Sequence, residues 1–98
     1  MKNSLHRQYI CNKLKLLRCE EAHTITYISW GNRRLAIRLP EVTDIYSYGQ
    51  EVIVKSGGKF YLKLVVEKDG LKLHDTSRHI QHHQIMAVVV NSYFRLNT

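Results

Sequence analysis

Residues 24–39 show the clearest alternation of apolar and polar positions in the chain. Thr24-Ile25-Thr26-Tyr27-Ile28-Ser29-Trp30 is dense in β-branched and aromatic residues, Gly31-Asn32 follows at once, and residues 35–39 alternate apolar with polar. The pattern predicts a hairpin with a tight turn. In its second strand Leu35, Ile37 and Leu39 share one side while Arg34, Ala36 and Arg38 share the other. The apolar set should enter the core and both arginines should face outward. Pro40, which has no N–H for a ladder bond, ends the strand. Residues 41–48 are predicted as a short helix, with acids near its start where the helix dipole favours them. A second hairpin is expected from residues 51–55, a Ser56-Gly57-Gly58 turn and residues 59–67. Lys68-Asp69-Gly70 reads as a turn, 71–74 as a short strand and 75–84 as a polar loop or short helix. Residues 85–96 read as a last strand with a buried run, Met86-Ala87-Val88-Val89-Val90.

Residues 4–18 fit two periods. Leu5, Tyr9, Leu16 and Leu17 can share a helical face with Ser4 as cap, yet Ile10, Asn12, Leu14 and Leu16 alternate as in a strand. The helix is favoured. The expected fold class is therefore mainly β (β-rich α+β): a small β-barrel of hairpins suited to an interleaved dimer, with an N-terminal helix or strand and a C-terminal strand. A single domain should span 1–98, with a basic N-terminal segment (1–22), a β-hairpin core (23–67) and a C-terminal extension (68–98).

Charge narrows the choice of partner. Fifteen Lys and Arg against eight Asp and Glu leave a net charge of +7 in 98 residues, a balance that favours nucleic acid or another polyanion. The N-terminal segment is the most basic part, with Lys2, Arg7, Lys13, Lys15 and Arg18 and no acid before Glu20. Cys11 and Cys19 have neither zinc-knuckle nor redox spacing and are expected to be free, buried thiols. The longest apolar run, 85–90, is too short to span a bilayer, so no membrane partner and a cytoplasmic location are expected.

Trp30-Gly31-Asn32, then Leu35-Ala36-Ile37-Arg38-Leu39-Pro40, then Gly49 with Val52-Ile53-Val54, then Gly57-Gly58 and residues 60–66 form an ordered series. The series, over 24–67, resembles the AbrB/MazE family of swapped-hairpin DNA-binding proteins. The resemblance implies that two chains interleave their hairpins and set two turns at residues 31–34 on one face. Several features depart from the family. Two arginines stand between Asn32 and Leu35 where one small residue is usual, which makes the turn longer by one. Ile28-Ser29 replaces a basic residue before the tryptophan, the connection from Pro40 to Gly49 is short, and no acidic C-terminal tail follows. A shorter likeness, His6-Arg7-Gln8-Tyr9-Ile10-Cys11-Asn12, is to a segment of LytTR-type DNA-binding domains.

The expected function is that of a sequence-specific DNA-binding transcriptional regulator, antitoxin-like and homodimeric. Its partner would be double-stranded DNA, with a toxin or assembly component as a further protein partner. The site would comprise Asn32, Arg33, Arg34 and Arg38, helped by Lys13 and Lys15. Six guanidiniums from two chains would give a log–log salt slope of about −5. Trp30 is assigned to core packing. His74, Asp75, His79, His82 and His83 have the residue types of a metal site but no cysteine nearby, and neither a metal nor a cofactor is expected. No nucleophile elbow, phosphate loop or paired carboxylates point to an enzyme. Two other readings compete: a β-barrel protein–protein interaction module without nucleic acid, and an RNA binder stacking bases on Tyr27, Tyr46 or Tyr48.

Overall fold

The computed structural model of the chain describes residues 2–65 and 82–94. Lys2–Arg18 is an α-helix, α1. Ile10, Leu14 and Leu17 recur at i, i+4 and i+7 and are all buried. The segment is the helix expected, but its buried face is not the expected one: Leu5 and Leu16 are exposed, and of the expected face only Leu17 is buried. Lys15 and Arg18 in the last turn suit the dipole. The helix tightens at its end as Cys19 N–H donates to the Leu16 carbonyl and Glu20 N–H to that of Leu17.

Five antiparallel strands follow: β1 (Thr26–Trp30), β2 (Arg33–Arg38), β3 (Glu51–Ser56), β4 (Lys59–Leu64) and β5 (Ile85–Phe94), the last preceded by a 3-10 turn at His82–Gln84. They form one sheet in the order β1-β2-β5-β3-β4. The protein is mainly β as expected, but the sheet stays open rather than closing into a barrel. Its two hairpins do not pair with each other, because β5 lies between them. Residues 66–81 and 95–98, which include the expected turn at 68–70, the strand at 71–74 and most of the 75–84 loop, lie outside the described residues.

Trp30 pairs with Arg33, so the first hairpin turn is the two-residue Gly31-Asn32, and both arginines belong to β2. The longer turn expected from the sequence is not formed. Gly31 alone takes a positive φ, 60°, as in a two-residue turn with glycine at its first central position. Asn32 is not needed in that role.

On one face, Ile28, Leu35, Ile37, Ile53, Phe60, Ala87 and Val89 form a core with Ile10, Leu14 and Leu17 of α1, and Trp30 packs against it. On the other face a smaller core joins Val52, Val54, Val65, Ile85 and Val88 to Tyr46. Residues 41–48 do not form the expected helix. Glu41 N–H donates to the Asp44 carboxylate at 2.7 Å and Asp44 N–H to the Glu41 carbonyl at 3.0 Å, closing a single turn. The chain then runs irregularly and lays Tyr46 on the sheet, leaving Val42 and Ile45 in solvent. In a helix Val42, Ile45 and Tyr46 would share one face, whereas here only Tyr46 is buried.

Burial lifts the Tyr46 hydroxyl to about 12, with Asp44 adding to the rise and Arg38 opposing it. Folding therefore favours the neutral phenol. The stability this group contributes is whole below pH 10, its ordinary value, and is lost as pH rises through about 12. Denaturation midpoints should fall between about pH 9 and about pH 11.5, and should fall less in Tyr46→Phe. An equal fall in both proteins would remove Tyr46 as the cause.

Candidate nucleic-acid interface

The six residues expected to meet nucleic acid are divided by the sheet. Alternation along β2 puts Arg33 on the face that carries α1, and Arg34 and Arg38 on the opposite face. Arg33 is held there. Its guanidinium donates to both carboxylate oxygens of Glu51, at 2.9 and 2.6 Å, and to the Ser92 hydroxyl, and it lies 5.8 Å from the Phe94 ring. The Glu51 hydrogen bonds, only partly offset by desolvation, hold its proton more firmly than in a free guanidinium.

Arg38 is occupied in the same manner. It donates to both Asp44 oxygens at 3.0 Å and to its neighbour's carbonyl, that of Leu39, at 3.1 Å. The Asp44 hydrogen bonds raise its pKa too. The outward face expected for Arg38 is thus covered by residues 41–46. Both ion pairs are bidentate and partly buried, so each guanidinium is committed to shaping the fold.

Arg34 differs: it is exposed, and among the described residues no carboxylate pairs with it. The guanidinium sits 5.4 Å from the centre of the Tyr27 ring on β1. Across the other side of β2 it stands directly opposite Tyr93 of β5. Tyr27 and Tyr93 are each 46% exposed. Asn91, also exposed, donates to the Tyr93 hydroxyl at 2.9 Å and pairs with Ala36, the neighbour of Tyr27. Three strands thereby bring two aromatic rings, a free guanidinium and an amide to one face.

Asn32 is exposed at the turn beyond this patch. Lys13 and Lys15 lie on α1, in the layer behind the sheet, with the Lys13 ammonium 5.7 Å from the Tyr9 ring. Of the tyrosines considered for stacking, Tyr27 and Tyr48 are exposed, whereas Tyr46 is buried in the second core. Tyr93 and Asn91 were not among the sequence candidates. Their placement depends on β5 pairing with β2 and on the register shift opposite Ala36 and Ile37, without which alternation from Val89 would put both on the face that carries α1.

Other candidate chemistry stays dispersed. Cys11 and Cys19 are free, and Cys19 is exposed rather than buried. Among the described residues no three His, Cys, Asp or Glu side chains come together, and no helix is long and apolar enough to cross a membrane. His74, Asp75 and His79 lie outside the described residues. Comparison with protein-family models, curated proteins and solved structures gives no match. The patch has to be read from its own chemistry.

Proposed function

We propose that this chain is a non-enzymatic nucleic-acid-binding protein that receives a single strand on the sheet face formed by Tyr27, Arg34 and Tyr93. The observation that carries the reading is the Arg34 guanidinium, unclaimed by any carboxylate among the described residues and flanked by two exposed rings, in a chain of net charge +7. Rings on a sheet face stack with any unpaired base, and a guanidinium between them meets the backbone phosphate. A duplex keeps its bases stacked inside and offers no such surface to the rings.

The duplex-DNA regulator is the second reading. It is favoured by the exposed Asn32 at the hairpin tip beside Arg34, the part of the chain that resembles the AbrB/MazE turn. With Arg33 and Arg38 committed to carboxylates, this reading has one free arginine per hairpin rather than three.

Titration of fluorescent single-stranded RNA, single-stranded DNA and a duplex of the same sequence across a salt series separates the two. Single strands should bind more tightly than the duplex, with affinity falling as salt rises. Tighter duplex binding would select the regulator, and no binding of any of the three at low salt would defeat both.

A further inference from the structure

β5 is the spine of the sheet, yet its two neighbours cover different halves of it. β2 pairs with Val88, Val89 and residues 91–94, whereas β3 pairs only with Ile85, Ala87 and Val88. β3 begins at Glu51, and residues 47–50 lead into it from a turn rather than continuing it. Above Val89, the side of β5 that looks away from β2 therefore has no strand beside it among the described residues. A shallow depression lies there, walled by Ser47–Glu51 on one side and Val89–Ser92 on the other.

Local side chains mark the open edge. The Gln50 amide donates to the Val89 carbonyl at 2.7 Å, and the Ser92 N–H donates to the side-chain oxygen of Asn91 at 2.8 Å. Those backbone groups thus point away from β2, with amide side chains standing where a neighbouring strand's backbone would be. Edge strands in monomers are usually guarded by charge, by proline or by being short. Residues 90–94, Val-Asn-Ser-Tyr-Phe, have no charge and no proline, and Val90, Tyr93 and Phe94 are 43%, 46% and 73% exposed. The register shift opposite Ala36 and Ile37 leaves Val90 without a β2 partner and adds twist at the lower limit of this segment.

We propose that the upper half of β5 pairs antiparallel with the same segment of a second copy. Charge selects the occupant. Two chains of net charge +7 repel wherever their basic surfaces meet, and residues 84–94 are the longest run without a charged residue or histidine. Antiparallel self-pairing is self-complementary, since each copy offers the other the N–H and C=O groups it lacks. The Asn91 oxygen gives way to a carbonyl of the second copy, and exposed Val90 and Phe94 are covered at the seam, while the Tyr93 ring stays open on the sheet face. The two-fold axis stands perpendicular to the sheet and makes the two sheets one. The two Tyr27–Arg34–Tyr93 patches then lie on the same side.

Sedimentation equilibrium of the full chain without nucleic acid tests this independently of the proposed function. The weight-average mass should rise with concentration from 11.5 kDa towards twice that value. Val90→Lys and Phe94→Lys, made separately, should each raise the dimer dissociation constant by about tenfold or more. Circular dichroism melts identify the variant that keeps its fold. Amide exchange at Ser92 and Phe94 should slow as concentration rises, which a dimer formed through any other surface would not produce. A monomer throughout the accessible range, unchanged dimerisation in a folded lysine variant, or concentration-independent exchange at those two amides would each overturn the proposal.

Discussion

A Tyr27→Ala/Tyr93→Ala variant is expected to bind a single-stranded oligonucleotide about 30-fold more weakly than the wild type, or worse. Each base stacked on an aromatic ring contributes about 1–3 kcal/mol, and two rings at the lower figure account for about 30-fold. Both side chains are half in solvent, so their removal should leave the fold intact. Arg34→Lys keeps the charge but loses the planar group beside Tyr27, and should cost less than Arg34→Ala while leaving the salt slope unchanged. Fluorescence anisotropy measures all four proteins. If the double variant stays within threefold of wild type, the rings do not stack bases and the sheet face is not the site.

The largest effect on stability is expected from Ile37→Ala. Ile37 is fully buried between α1 and the sheet, packed in the same core as Ile10, Leu14 and Leu35, and pairs with Thr26 on one side and Val89 on the other. Emptying such a site costs about 2–5 kcal/mol, out of a total of about 5–15 kcal/mol for a domain of ordinary stability. At about 4–8 °C per kcal/mol the melting temperature should fall by roughly 10 °C or more. Ile45→Ala, at a position 90% exposed, should change stability by no more than about 0.5 kcal/mol. Urea denaturation of the two variants checks the contrast. Similar midpoints would mean that the α1-side core is not what stabilises the sheet.

The strands were legible because their signal is local. Ile28, Leu35 and Ile37 sit on one face by simple alternation, and Gly31-Asn32 and Gly57-Gly58 mark their turns without reference to the rest of the chain. The arginines were legible as residues but not as partners. Arg33 finds Glu51 eighteen positions away, and that pairing exists only because β3 starts level with the middle of β5. Arg38 meets Asp44 only once residues 41–44 have closed into a turn, and the same turn defeats the expected helix. Tyr93 joined the candidate site through a strand order that no short-range pattern encodes. Of the arginines in the expected site, Arg34 alone pairs with no carboxylate among the described residues.

The strand that unites the sheet is also the last of the five described strands to be made. β1–β2 and β3–β4 are hairpins of near neighbours, and each can close while the chain is still emerging from the ribosome. Until residues 85–94 arrive, however, no described strand joins one hairpin to the other. Helix α1, which packs on both, and the Arg33–Glu51 ion pair link them, but their inner edges stay open. A chain stopped short of Ile85 would carry two unpaired edges more than the finished sheet, those of β2 and β3. Assembly should accordingly be limited by a long-range insertion, slower than local hairpin closure, in which β5 zips between two preformed halves.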